Sequence, residues 1–99
     1  MDSGMYEWWF GSRALLDEVG IERWEVMEVL FSPRRWSRPA TSREGLAVLT
    51  VWGRTDEGRA LLVLLRWLRV VGRWQILFAA PMTSMQLAEY TAWEVTGDE

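Results

Sequence analysis

Between Gly45 and Pro81 three strand-like runs follow one another with only a few turn residues between them, and connections that short decide most of what the chain is able to become. Leu46-Ala-Val-Leu-Thr-Val-Trp52 is rich in Val, Leu, Thr and Trp and runs into Gly53-Arg54-Thr55-Asp56-Glu57-Gly58, a strand entering a tight turn. Arg59-Ala-Leu-Leu-Val-Leu-Leu-Arg66-Trp67-Leu68-Arg69 follows, and Val70-Val71-Gly72 offers the next reversal. The third run, Arg73-Trp-Gln-Ile-Leu-Phe-Ala79, is stopped by Pro81. Consecutive strands joined so briefly pair antiparallel, because a parallel return needs a crossover of roughly a dozen residues. The middle strand therefore lies between its neighbours, and its continuous apolar centre suits a strand covered on both faces.

Helices are expected on either side of this meander. Met5-Tyr-Glu-Trp-Trp-Phe10 has strand propensity and ends at Gly11. Ser12 is placed to cap a helix through about Val19, and Gly20 to end it in the left-handed region. From Ile21 to Phe31 apolar residues recur at helical spacing, with Trp24 in the core and Glu22, Glu25 and Glu28 left for water. Ser32-Pro33-Arg34-Arg35-Trp36-Ser37-Arg38-Pro39 breaks that helix and reads as a loop or an edge segment, one form of which is a bent strand continuing to Ser42. Thr83 and Gln86 form a capping box for a last helix running from Ser84 to about Val95, in which Met85, Ala88, Ala92 and Val95 make one stripe widened by Tyr90 and Trp93. The fold class is α+β: an N-terminal strand, two helices, a three- to four-stranded antiparallel sheet and a C-terminal helix. At 99 residues the chain is expected to form one domain over positions 1–99.

Composition narrows the chemistry. The chain has no cysteine and no histidine, so thiolate nucleophiles, Cys or His metal ligands and imidazole bases are excluded, and neither metal nor cofactor is expected. No apolar run approaches the ~18 residues of a membrane span, and no signal peptide is recognisable, so a cytoplasmic protein with no membrane partner is expected. All eleven basic residues are arginines. Residues 1–31 carry seven acids against Arg13 and Arg23, residues 32–82 carry nine arginines against Glu44, Asp56 and Glu57, and residues 83–99 carry four acids and no base. A basic sheet on an otherwise acidic molecule suits a phosphate backbone or an acidic partner, unless the terminal acids neutralise it within the fold. Trp36 between Arg35 and Arg38, Trp67 between Arg66 and Arg69, and Trp74 beside Arg73 are aromatic and basic clusters of a kind that stacks bases, or that packs in a core or an interface.

Taken together, Tyr6-Glu-Trp8, Gly20-Ile-Glu-Arg-Trp-Glu-Val-Met-Glu-Val-Leu-Phe-Ser-Pro33, Gly53-Arg-Thr55, Gly58-Arg-Ala-Leu-Leu-Val63, and Ile76-Leu-Phe-Ala79 before Pro81-Met-Thr83 with Tyr90 resemble the BrnT family. These are small bacterial toxins of type II toxin-antitoxin modules, related in fold to the RelE and ParE group. The resemblance implies a metal-independent endoribonuclease that blocks translation and is neutralised by a ribbon-helix-helix antitoxin, as a homodimer or in a heterotetramer with it. It places the family's arginine on Arg54 and its last-helix tyrosine on Tyr90. The chain departs from the family at Glu18-Val19-Gly20, where Lys-His-Gly is usual, at Ala80, where an arginine is usual, and at Gln86, where an acid is usual.

Cleavage of RNA without a metal needs a base for the 2′-hydroxyl, cationic donors for the phosphorane-like transition state and an acid for the 5′-oxygen. The expected catalytic set is Arg54 as donor, Glu44 or Glu57 as base and Tyr90 as acid or hydrogen-bond donor. Arg43, Arg59, Arg35, Arg38, Trp36 and Arg73 are expected to bind RNA. All of this requires the guanidinium groups to meet in one cationic hollow. The alternative is a catalytically degenerate toxin fold that binds an antitoxin or another protein, and a third reading is a small RNA-binding module.

Overall fold

The computed structural model describes residues 5–96; the acids Asp2, Asp98 and Glu99 of the charge count lie outside them. Strand β1 (Tyr6–Trp8) is followed by helices α1 (Ser12–Val19) and α2 (Arg23–Leu30). Four strands follow, β2 (Trp36–Thr41), β3 (Ala47–Arg54), β4 (Ala60–Leu68) and β5 (Arg73–Pro81), and then α3 (Ser84–Thr96). The α+β architecture matches the expectation, with two refinements. The edge segment after Pro33 is a true strand, tolerating Pro39 because β2 has a neighbour on one side only. The sheet has five strands in the order β1-β5-β4-β3-β2, and β1 joins it parallel to β5, with Tyr6 opposite Trp74 and Trp8 opposite Ile76. A long excursion through both helices and three strands gives the chain room for that parallel return.

Alternation along the strands assigns the two faces. Val51, Leu61, Val63, Leu65, Ile76 and Ala79 point to one face and are buried against Leu16 of α1, Ile21, and Val26, Val29 and Leu30 of α2. Gly53 lets α2 approach closely, since a Cβ there would lie 3.0 Å from Val29 Cγ1. Between Leu64 and Leu65 the β4–β5 register shifts, leaving Leu77 as an extra residue. The second face carries Val48, Thr50, Trp52 and Arg54 of β3 and meets α3. β4 accordingly alternates between buried and half-buried residues and is not sealed on both faces.

Several local expectations are corrected. Gly11, not Ser12, is the cap of α1; Ser12 is the first helical residue, buried with its Oγ unpartnered. Gly20 does end α1 at φ 70°. Glu25 is not left for water: it is buried, accepts from the Glu22 backbone N–H and pairs with Arg59, because an arginine at the start of β4 reaches under α2. Trp24 is exposed instead of belonging to the core. Thr83 and Gln86 make the reciprocal capping box of α3 at 2.9 and 3.1 Å. The stripe of α3 faces outward, with Met85 83% and Val95 79% exposed, while Gln86, Tyr90, Trp93 and Glu94 face the sheet.

Candidate functional site

The second face of the sheet is where the resemblance would place a site, and what the structure builds there is a clamp on α3. Arg54 ends β3 with its side chain on this face. Its Nε donates to Glu94 Oε2 at 2.9 Å and its Nη2 to Glu94 Oε1 at 3.0 Å, the two-pronged geometry that matches a planar guanidinium to a carboxylate. A third donor, Nη1, reaches the Gly58 carbonyl at 3.2 Å. The guanidinium also lies 5.6 Å from the centroid of the Tyr90 ring. Hydrogen bonding to Glu94 holds the Arg54 pKa above its ordinary value, against the opposing effect of burial.

Tyr90 is the most enclosed side chain of α3, 1% exposed, and its hydroxyl donates to the Arg34 carbonyl at 2.8 Å. Burial raises its pKa above 10.0, and Glu94 adds to the shift while Arg54 and Arg34 oppose it. One turn further along the helix Trp93 stacks on Tyr90 at 5.5 Å and on Trp36 at 5.3 Å between centroids, and Trp36 leans on Trp52 at 5.4 Å. Thr50 fixes the Trp52 indole, accepting from its Nε1 at 3.0 Å and donating to the Arg38 carbonyl at 2.7 Å. Arg38 covers the Trp36 ring at 4.3 Å and closes on Glu89 at 2.7 Å. Arg34 donates to the Glu94 carbonyl and lies 5.1 Å from the Trp93 centroid.

The other expected residues are dispersed. Arg59, only five positions after Arg54, points to the opposite face and bonds Glu25 and the Gly20 carbonyl. Arg35 donates to the Ser32 carbonyl. Glu57 is exposed on the β3–β4 turn. Arg43 and Glu44 lie in the β2–β3 turn at the far end of β3, roughly 20 Å from Arg54 at ~3.3 Å per strand residue. Arg73 sits at the start of β5 and approaches Glu7 at 3.5 Å. Arg38, Arg54, Arg59 and Arg73 are thus each tied to a carboxylate of the same chain, and the common cationic hollow is not formed.

Tyr90, Arg54, Arg38 and Trp36 do come together. Glu94, Glu89 and Arg34 complete the cluster and were missed by sequence reasoning, although Glu94 lies four residues after Tyr90 and so on the same side of the helix. The sequence matches no protein-family model and no curated protein.

Proposed function

We propose that this chain is a toxin-fold protein of BrnT type that has lost the chemistry and binds another protein. One observation carries this reading: Arg54, the expected cationic donor to the transition state, is spent on Glu94 beside a buried Tyr90. A guanidinium held by two prongs has little left to offer a developing phosphorane. Tyr90 is likewise unfit as an acid, since its proton lies on the Arg34 carbonyl and burial opposes ionisation. Among the described residues neither proposed base, Glu44 or Glu57, is hydrogen-bonded to this cluster. What α3 offers outward is the apolar line Met85, Ala88, Ala92 and Val95, which suits a helix of a partner such as the ribbon-helix-helix antitoxin implied by the resemblance.

Expression of the wild-type chain and of Arg54→Ala in growing bacteria tests the reading, together with incubation of each purified protein with RNA. Neither protein arrests growth and the RNA stays intact. Growth arrest and cleavage by the wild type, abolished in Arg54→Ala, would return the chain to the endoribonucleases. That second reading draws on one fact, that Arg54 and Tyr90 do meet, and it needs the Arg54–Glu94 bridge to open.

A further inference from the structure

The three hairpin turns of the sheet are not alike. Ser42-Arg43-Glu44-Gly45 and Asp56-Glu57-Gly58 are polar and glycine-ended, as exposed turns usually are. The β4–β5 turn is Arg69-Val70-Val71-Gly72, closed by the Gly72 N–H on the Leu68 carbonyl and by Gly72 at φ 68°. Its apex is apolar: Val70 is 99% exposed and Val71 56%. Nothing in turn geometry asks for two β-branched apolar residues at that place, where Val70 lies wholly in water and Val71 about half so.

The surroundings of the apex supply the second half of the argument. Trp67 and Trp74 form a cross-strand pair below it, edge to face at 5.0 Å with an interplanar angle of 61°, and Trp67 is half-exposed. Two residues lie between that pair and the valines on each side of the turn, three steps and thus at most roughly 10 Å at ~3.3 Å per step. Arg66 and Arg69 are exposed and belong to no ion pair among the described residues, and Arg73 has only the 3.5 Å approach of Glu7. Arg43, also outside any ion pair among the described residues, lies on the neighbouring β2–β3 turn at the same end of the sheet. The arginines of the opposite end, Arg54 and Arg59, are by contrast neutralised internally.

We infer that the β4–β5 hairpin is a membrane anchor that seats this protein on the surface of a bilayer containing anionic lipid. Val70 and Val71 enter the boundary between headgroups and acyl chains, to the roughly 5–10 Å that interfacial segments reach. Trp67 then stands at headgroup level, where amphipathic rings are favoured, and the arginines meet lipid phosphates. No spanning element is needed, and no helix among the described residues is long and apolar enough to be one. The absence of a spanning segment in the sequence therefore does not bear on this kind of contact. RNA is a poorer fit to the same hairpin, because the valines at its apex offer no ring for a base to stack on. This inference concerns the end of the sheet away from α3 and stands independently of the partner-binding reading.

Flotation of the whole protein with phosphatidylcholine vesicles, with and without phosphatidylglycerol, tests it. The protein floats with the anionic vesicles at low salt and remains behind with phosphatidylcholine alone. V70S/V71S lowers the partition coefficient at least about tenfold, from the lost transfer of two valine side chains. Each of R66S and R69S lowers it about fivefold, an effect that fades as salt rises. Because the chain lacks cysteine, V70C accepts a single polarity-sensitive fluorophore, whose emission shifts to the blue on the anionic vesicles. The inference is overturned if wild-type protein ignores anionic vesicles, if V70S/V71S floats as well as wild type, or if the fluorophore reports water while the protein floats. Arginine-dependent binding of a single-stranded RNA in place of vesicles would assign the hairpin to nucleic acid.

Discussion

On the face of the sheet covered by α1 and α2, Val26, Val29, Val63 and Ile76 are wholly removed from water, and the elements are held chiefly by non-directional burial, with the Arg59–Glu25 pair at its rim. On the face covered by α3 the contacts are the Arg54–Glu94 and Arg38–Glu89 pairs, the Tyr90 hydroxyl bond and a stack of aromatic rings. The first kind of contact is insensitive to salt and shape-driven. The second depends on charge and geometry, so α3 is the element whose attachment conditions and single substitutions should change most selectively.

The largest expected effect lies on the apolar face. Ile76→Ala costs about 2–5 kcal/mol, read as a lower denaturant midpoint for the whole domain, with no dependence on ionic strength. On the α3 face, Arg54→Met costs about 1.5–3 kcal/mol because it leaves the Glu94 carboxylate without its two charged donors. A double-mutant cycle with Glu94→Gln separates this pair energy from the loss of packing, and a coupling indistinguishable from zero would erase the distinction between the faces.

Tyr90→Phe removes one buried hydrogen bond and costs about 0.5–1.5 kcal/mol. It also changes the alkaline limb of stability. The folded-state pKa of Tyr90 is raised, so its contribution is complete below about pH 10 and is lost as pH climbs past the unfolded value toward the folded one. The wild type therefore loses stability above about pH 10 more steeply than Tyr90→Phe, as unfolding curves at stepped pH would show. The smallest effect belongs to Glu89→Gln, which breaks only the half-exposed pair with Arg38, worth less than about 1 kcal/mol and lost in high salt, and leaves Arg38 over the Trp36 ring.

How far the sequence could be read follows from the range of the forces involved. The β3–β4–β5 meander, the left-handed end of α1 at Gly20 and the Thr83–Gln86 box are encoded within a few residues, and each was legible. The orientation of α3 was not. Met85, Ala88, Ala92 and Val95 offer one apolar stripe, while Gln86, Tyr90, Trp93 and Glu94 offer a competing aromatic and acidic one. Only the surface beneath, where Arg54 and Trp52 wait on β3, decides between them. Arg54, Arg38 and Arg59 were identified and Arg34 was not, and the partners lie far along the chain, 34 residues away for Arg59 and Glu25 and 40 for Arg54 and Glu94. Charge segregation along a sequence tells how many pairs are possible and not which form.

The parallel seam between β1 and β5 has a consequence for the order of assembly. Tyr6 meets Trp74 across about two thirds of the chain, so this strand incurs the largest loop-closure entropy of any in the sheet and gains only three ladder positions in return. A chain emerging from the ribosome exposes Tyr6-Glu7-Trp8-Trp9 well before β5 and must hold that aromatic stretch unpaired until β5 is made. Backbone amides of β1 should accordingly be the earliest in the sheet to exchange with deuterium, ahead of those in β3, β4 and β5.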